Sequence, residues 1–349
     1  MDYSKEKNAQ NLNKIKDIEK ELPIWFSSFI RSISDTTTSL TRLNYCYDTR
    51  LFFSYLIGGN VAAFDGLKMS DIKPQMLGEL SLTNLEEYLE YIGMYVKNDE
   101  TIMENGRHGK ARKIASMRTL YKYLEKKELI SKNPTLLLDM PKIHEKSIIR
   151  MEVNEAASFL DAVRTGDGLS DREKKHHERY EKRDMAIAVL FLYTGIRISE
   201  LAGLDIGDVN FDDFSFIITR KGGNETIMYF NEDVEQALSA YMEERKAGDT
   251  YSADAPLFIS NQNKRMNVKS IQNMIEKYAK VSVPLKHITP HKLRSTYGTT
   301  LYQETGDIYL VANVLGHKDI NTTQKHYAAQ SEMNKREASE KIKYFSDEK

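Results

Sequence analysis

The sequence has only one cysteine, Cys46, in 349 residues. A single cysteine excludes an internal disulfide and any cysteine-rich zinc or iron-sulfur site, and it fits a reducing compartment. The longest apolar run, Met185 to Ile196, is too short to cross a bilayer, and the segment from Met1 to Lys20 is too polar for a signal peptide. We therefore expect a cytoplasmic protein without a membrane partner.

An excess of charge of one sign is also absent. Fifty Lys and Arg oppose 51 Asp and Glu, so the formal net charge is -1. Bulk charge gives no hint of a polyanionic partner, and any basic surface must be local. The length of 349 residues, 40% of them hydrophobic, suits two domains with real cores.

Residues 1–140 form the first predicted domain, in which four helices account for most of the hydrophobic pattern. Apolar residues recur every three or four positions, as in Leu43, Tyr47 and Leu51. The third of these helices is predicted to run from Thr83 to about Val96. This half of the chain is expected to be all-helical.

The fourth predicted helix, from about Gly109 to Lys127, stands out by its charge. The stretch from Arg107 to Lys127 carries eight basic residues and one acidic residue, Glu125. A buried apolar stripe would leave the cations on the opposite face, where they could meet DNA phosphates or form an ordinary solvated face. The candidate DNA-binding residues are Arg107, Lys110, Arg112, Lys113 and Arg118.

Residues 141–150 read as a linker, and residues 151–349 as a second domain. Two β-type runs, Phe214 to Arg220 and Glu225 to Phe230, flank a turn and predict a hairpin among helices. The predicted fold class is therefore mainly α with a small β-hairpin or sheet. A charged C-terminal helix from Ser331 to Lys343 has too few apolar positions for a core of its own.

The second domain carries cationic and imidazole residues in distinctive settings. Arg197 follows a glycine that ends an apolar helix, where a bare cation is costly unless Glu200 or another anion pairs with it. His291 and Arg294 are three residues apart on one helix face, behind a proline that fixes the helix start. Lys221 lies at the hairpin tip, either as a functional group or as an ordinary turn lysine.

Together with His317 and Tyr327, these residues suggest in-line attack on a phosphodiester without a metal. Planar guanidinium groups can hold the two non-bridging oxygens, which fits Arg197 and Arg294. A phenol such as Tyr327 is a weak nucleophile at neutral pH and needs neighbouring cations and a proton acceptor. The 5′ oxygen leaves poorly unless it is protonated, a task that suits a lysine.

A zinc site is the rival interpretation of the histidines. His287 and His291 have the i, i+4 spacing of a zinc pair, but Pro290 argues against one continuous helix and no acidic cluster lies nearby in sequence. The adjacent pair His176 and His177 does not share a helix face and makes a poor metal pair. We predict no metal and no other cofactor.

At this point the sequence resembles the tyrosine recombinases, or phage-type integrases. Their pattern is an arginine in a T-G-x-R-x-S-E-L setting, a hairpin lysine, H-x-L-R, L-G-H and a tyrosine about ten residues on. It is met in order by Arg197, Lys221, His291, Arg294, His317 and Tyr327. Leu22 to Trp25, Arg31 to Leu56 and Arg172 to Arg183 resemble Xer-type recombinases, especially XerS-like single-protein systems.

The resemblance implies a SAM-like core-binding domain in the first half and a catalytic tyrosine recombinase domain in the second. It implies that Tyr327 is the nucleophile, forming a 3′-phosphotyrosyl link without ATP or metal. The implied partners are a double-stranded DNA recombination site and a homo-tetramer on two such sites, with an accessory protein left open. The C-terminal helix would then dock on a neighbouring subunit.

Several functional interpretations stay open. One is Xer-like chromosome dimer resolution, and another is integration or excision of a mobile element. A non-catalytic DNA-binding accessory protein and a type IB topoisomerase-like enzyme are the further alternatives. The DNA target sequence does not follow from the residues.

Overall fold

The computed structural model describes residues 3–96, 100–142, 149–220, 223–246 and 252–316. The chain divides into two compact units, Met1–Lys146 and Ser147–Lys349. Lys221, His317, Tyr327 and the predicted helix from Ser331 to Lys343 lie outside the described residues. Within the described ranges, no helix has the length and apolar character needed to span a bilayer.

The N-terminal unit consists mainly of helices. The four predicted helices correspond to α2, α3, α5 and α6, and α1 and the short α4 accompany them. The bounds are α1 Tyr3–Glu19, α2 Ile24–Ser32, α3 Ser39–Tyr55, α4 Pro74–Gly78, α5 Leu82–Tyr91 and α6 Arg107–Lys126.

Aromatic side chains fill the core of this unit. Phe26, Phe29, Phe52 and Tyr88 are fully buried, and their rings pack in the tilted pairs Phe26–Phe29 and Phe52–Tyr88. Cys46 on α3 lies in the same core, and burial raises the pKa of its thiol to about 12.

The expectation of an all-helical first half was wrong at one place. Helix α5 ends at Tyr91, and Met94–Val96 forms strand β1, which pairs antiparallel with β2, Ile102–Glu104. Tyr95 is the buried residue of β1, between the exposed Met94 and Val96. This alternation is a strand period, but a run of three residues is too short to be separated from a helical pattern in sequence.

The C-terminal unit combines seven helices and a small sheet in its described part. The helices are α7 Val153–Thr165, α8 Asp171–Thr194, α9 Ile198–Gly203, α10 Glu232–Lys246, α11 Val268–Ser282, α12 Pro290–Thr305 and α13 Ile308–Leu315. The strands are β3 Val209–Asn210, β4 Ser215–Thr219 and β5 Glu225–Tyr229.

The sheet is antiparallel with the strand order β3-β4-β5. Ser215 pairs with Tyr229 and Thr219 with Glu225, so β4 and β5 form the predicted hairpin. Phe216 and Ile218 face the core, whereas Ile217 is half exposed. The mainly helical units with small antiparallel sheets confirm the predicted fold class.

A buried ionic network ties α8 to α11. Asp184 on α8 is fully buried and accepts hydrogen bonds from the Arg183 guanidinium at 2.7 and 3.0 Å and from the Tyr278 hydroxyl at 3.0 Å. The Lys277 ammonium lies 3.6 Å from the same carboxylate, and His177 contacts the Tyr278 hydroxyl at 3.1 Å. The buried Asp184 charge is therefore compensated by partners on both helices.

Candidate active site

Arg197 stands between the end of α8 and the start of α9. Its backbone N–H donates to Glu200 Oε2 at 2.9 Å, and its Nη1 donates to Glu200 Oε1 at 2.8 Å. Glu200 is buried, and the Arg197 side chain is 35% exposed. The Glu200 carboxylate therefore orients the guanidinium while leaving part of it accessible.

The glycine before this arginine is required by space and by backbone geometry. Gly195 ends α8 with φ of +61°, in the left-handed region that favours glycine. A Cβ at Gly195 would overlap the ring of Tyr297 on α12 and approach Leu315 on α13. The close approach brings the start of α9, α12 and the end of α13 together.

Arg294 on α12 is buried and bridges two of these elements. Its Nη1 donates to the Gly195 carbonyl and its Nη2 to the Leu315 carbonyl. Arg197 donates from Nη2 to the next carbonyl, that of Gly316, at 2.9 Å. The two predicted phosphate-binding arginines are thus brought together at the end of α13.

A third arginine, Arg220, reaches the same helix end from the sheet. Its Nη2 donates to the Val314 carbonyl at 3.0 Å, and its Nη1 makes a longer contact of 3.5 Å to the Asn313 carbonyl. Burial, the largest cause, lowers the pKa of the Arg220 guanidinium; Glu200 opposes this shift and Arg197 adds to it. Arg220 is therefore within electrostatic reach of both Arg197 and Glu200.

The end of α13 thus receives three guanidinium groups. The last carbonyls of a helix have no intrahelical partner and carry the negative end of the helix dipole, so cations are favoured there. Arg197, Arg220 and Arg294 bring three positive charges, and Glu200 supplies one negative charge. These four side chains carry a net positive charge, which suits an anionic ligand such as a phosphodiester.

His291 lies one turn before Arg294 on α12 and is exposed. Since α12 begins at Pro290, His287 lies outside the helix, and the i, i+4 geometry of a zinc pair is not formed. Among the residues that the structure describes, no three His, Cys, Asp or Glu side chains are grouped to hold a metal ion. Lys221, His317 and Tyr327 fall in ranges without a description, so their roles stay predictions.

The basic helix α6 divides its cations between surface and core. Its predicted apolar stripe is buried, including Ile114, Leu120 and Leu124. Lys113 departs from the expectation that all cations lie on the opposite face: it is buried, with its Nζ 3.2 Å from Asp48. Arg112 pairs with the same carboxylate at 2.5 and 2.7 Å and has a half-exposed side chain.

The other three candidates on α6 also have contacts within the N-terminal unit. Arg107 is exposed and donates to the Lys142 carbonyl at 3.1 Å. Arg118 donates to the carbonyls of Thr135 at 3.2 Å and Leu138 at 2.5 Å. Lys110 packs against Gly93, where an added Cβ would lie 2.9 Å from its Nζ.

Sequence reasoning named Glu200 only as a possible partner of Arg197 and did not single out Arg220. The available signal for Arg220 was its place beside the hairpin lysine, at the end of a strand. Its side chain contacts residues more than ninety positions later, which no local pattern reveals.

A protein-family model and several curated relatives match this sequence. The profile described as "Phage integrase family" matches residues 150–333. Tyrosine recombinase XerC of Caldanaerobacter subterraneus is 33% identical over 288 residues, covering 80% of this chain and 75% of the relative. Tyrosine recombinase XerS of Streptococcus mutans is 29% identical over 345 residues, covering 89% and 93%.

Solved structures share the fold. XerH site-specific recombinase, solved with its difH substrate in a pre-cleavage complex, superimposes with a TM-score of 0.63 at 19% identity over 86% of this chain and 81% of its own. A lambda integrase dimer bound to a core site gives 0.61 at 14% identity, over 86% and 93%. The family match and the XerC relative establish that this chain belongs to the phage integrase family, the tyrosine recombinases, and is Xer-like.

Proposed function

We propose that this chain catalyses site-specific recombination of double-stranded DNA through a 3′-phosphotyrosyl intermediate. The observation that carries the proposal is the convergence of Arg197 and Arg294 on neighbouring carbonyls, Gly316 and Leu315. Two guanidinium groups so placed can hold both non-bridging oxygens of one phosphate, where charge develops during in-line attack. His317 follows this helix end directly in sequence.

In the proposed reaction the Tyr327 phenolic oxygen forms a bond to phosphorus as the bond to the 5′ oxygen breaks. His291 accepts the phenol proton, His317 donates a hydrogen bond to the phosphate, and Lys221 protonates the departing 5′ oxygen. A 5′ hydroxyl of the partner strand then attacks the phosphotyrosine and releases the phenol. The ester conserves the bond energy, so the reaction consumes neither ATP nor a metal-activated water.

The proposed organisation follows the two units. Residues 1–140 would contact DNA through the exposed part of α6, and residues 151–349 would carry the chemistry, with 141–150 as the linker. Arg107, Arg112 and the remaining candidates on α6 stay proposals, and the buried pairing of Lys113 with Asp48 makes it the weakest of them. We also propose assembly as a homo-tetramer on two DNA sites and a cytoplasmic location.

Among biological roles, we propose Xer-like chromosome dimer resolution. The support is the likeness to XerS proteins over 89–91% of this chain, with 93–94% of the relatives covered. Integration or excision of a mobile element is the second candidate. Mapping the DNA bound in cells separates them, because one site near the replication terminus supports the first and element ends support the second.

A nicked DNA duplex tests the chemistry. The site recovered by mapping is supplied with a nick near the cleavage point, so that the small fragment diffuses away and the covalent adduct accumulates. We expect an SDS-resistant adduct with the wild-type protein and none with Tyr327→Phe. A DNA shift without any adduct would favour the accessory-protein alternative, and relaxation without exchange between two sites would favour a topoisomerase-like enzyme.

A further inference from the structure

Arg220 links the sheet to the end of α13 through a fixed backbone. Its N–H donates to the Asn224 carbonyl at 2.8 Å, and its own carbonyl accepts from Gly223 N–H at 3.0 Å. Gly223 has φ of +85°, a conformation that glycine adopts readily. Both backbone polar groups of Arg220 are therefore hydrogen-bonded, which fixes the direction in which its side chain leaves the hairpin.

The guanidinium of Arg220 fits closely against α13. A Cβ at Gly316 would overlap its Nη1, so a larger residue at position 316 would force this guanidinium to move. The Nε of Arg220 is buried and, among the residues described, has no hydrogen-bond partner. A buried donor without a partner is uncommon in folded proteins and asks for an explanation.

The contacts of the three arginines follow one another along the chain. Arg220 holds the Val314 carbonyl, Arg294 the Leu315 carbonyl and Arg197 the Gly316 carbonyl. Because these carbonyls belong to consecutive residues, a shift of the α13 end would change the positions of Arg294 and Arg197 together. Arg220 is the only one of the three that connects this end to the sheet.

We propose that Arg220 is a positioning residue for the two phosphate-binding arginines, an inference that rests on the proposed function. It anchors the last turn of α13 to the end of β4 and thereby holds in place the Leu315 and Gly316 carbonyls to which Arg294 and Arg197 donate. A displacement of about 1 Å at such groups can lower a rate about a hundredfold.

The test compares Arg220→Ala and Arg220→Lys with Arg164→Ala, which removes an exposed arginine paired with Asp161 on α7. The measurements are the single-turnover rate of adduct formation at saturating DNA, the affinity for the same DNA and the thermal midpoint. We expect Arg220→Ala to slow adduct formation at least tenfold, with affinity within about twofold and a midpoint close to that of Arg164→Ala. Arg220→Lys should be intermediate, because one ammonium lacks the fork of a guanidinium.

A double-mutant cycle with Gly316→Ala examines the geometry independently. In the wild-type background the new methyl group displaces Arg220 and strains the left-handed backbone, so the rate should fall more than tenfold. In the Arg220→Ala background the clash is gone and only the strain remains, so the further loss should stay below about threefold. Losses that simply multiply would show that the two residues act separately.

The outcomes separate the two proposals. An adduct from the wild-type protein together with an undiminished rate in Arg220→Ala overturns only the positioning role. Equal losses of rate and affinity also overturn it, because they indicate a DNA contact. A wild-type protein that binds its mapped site but forms no adduct overturns the proposed function and the role of Arg220 with it.

Discussion

Arg197 and Arg294 donate to the carbonyls of Gly316 and Leu315, neighbours at the end of a single helix. Arg294 also holds the Gly195 carbonyl, two residues before Arg197. Each arginine therefore fixes part of the chain that supports the other. These backbone contacts hold both guanidinium groups in place, which lowers the entropic cost of ordering them around a phosphate.

Replacing Glu200 by Gln should impair cleavage but not binding. The carboxylate accepts from both the Arg197 backbone and its guanidinium, and an amide oxygen gives weaker, uncharged acceptance. We expect at least a tenfold lower rate of adduct formation, with DNA affinity unchanged or slightly higher because a negative charge is removed.

Glu173→Gln provides the matched control for that substitution. Glu173 occupies the same third position of a capping box, at the start of α8, but its partner is Ser170 rather than an arginine. It should keep the wild-type rate of cleavage. If both variants form the adduct equally slowly, then Glu200 acts by capping its helix and not by orienting Arg197.

Asp184→Asn should destabilise the C-terminal unit. The change keeps the size of the side chain but leaves Arg183 and Lys277 without their buried counter-charge. Removing one member of a buried ion pair costs about 3 kcal/mol or more.

Urea denaturation gives the free energy of unfolding. Tyr278→Phe removes one hydrogen bond to the same carboxylate and should cost about 1 kcal/mol. Equal free energies of unfolding for Asp184→Asn and Tyr278→Phe would contradict the central role of Asp184 in this network.

Stability should fall in acid partly through Glu155. Hydrogen bonds from Lys286, at 2.6 Å, and from the Glu152 N–H hold the pKa of this carboxyl below its ordinary value of 4.5. A lowered pKa in the folded state stabilises it above the unfolded pKa, and this contribution is lost as the pH falls through the folded pKa. Glu155→Gln should therefore be less stable than wild type at pH 7, with the gap narrowing toward pH 4.

Urea midpoints at several pH values measure this difference. Lys286→Gln should show the same narrowing, because it removes the other half of the pair. If the stability difference between wild type and either variant stays constant from pH 7 to pH 4, then the lowered pKa of Glu155 does not contribute to acid stability.

On α6, Arg107→Gln and Lys113→Met should have opposite signatures. Arg107 is exposed, and its loss should weaken binding to any duplex and reduce the slope of log affinity against log salt by about one. Lys113 is buried against Asp48, so its loss should lower the free energy of unfolding by about 2 kcal/mol and leave the salt slope unchanged. Affinities over a salt series and urea denaturation distinguish the two variants, and an unchanged slope in Arg107→Gln would exclude Arg107 from the DNA interface.

The sequence predicted what depends on local periodicity. The apolar stripe of α6, the hairpin of β4 and β5, and the helices on which Arg197 and Arg294 lie all follow from spacing and turn residues within a few positions. Local patterns could not reveal contacts between distant parts of the chain. The pairing of Lys113 with Asp48 spans 65 residues, and that of Arg220 with Val314 spans 94.

The short elements of the first unit also escaped prediction for a physical reason. Strand β1 has three residues, and its stability comes from pairing with the following strand β2, not from its own composition. The break between α1 and α2 falls at Pro23, whose ring fixes the backbone before Ile24. The pairing of β1 depends on β2, whereas the break at Pro23 follows from the residue itself.

The burial of Cys46 has a practical consequence for work on this protein. Its thiol lies inside the aromatic core of the N-terminal unit, and its raised pKa leaves almost no thiolate at neutral pH. Maleimide dyes react with thiolates that solvent can reach. A cysteine introduced on an exposed helix face would therefore be labelled alone, so fluorescence could follow strand exchange in a protein that keeps its natural cysteine.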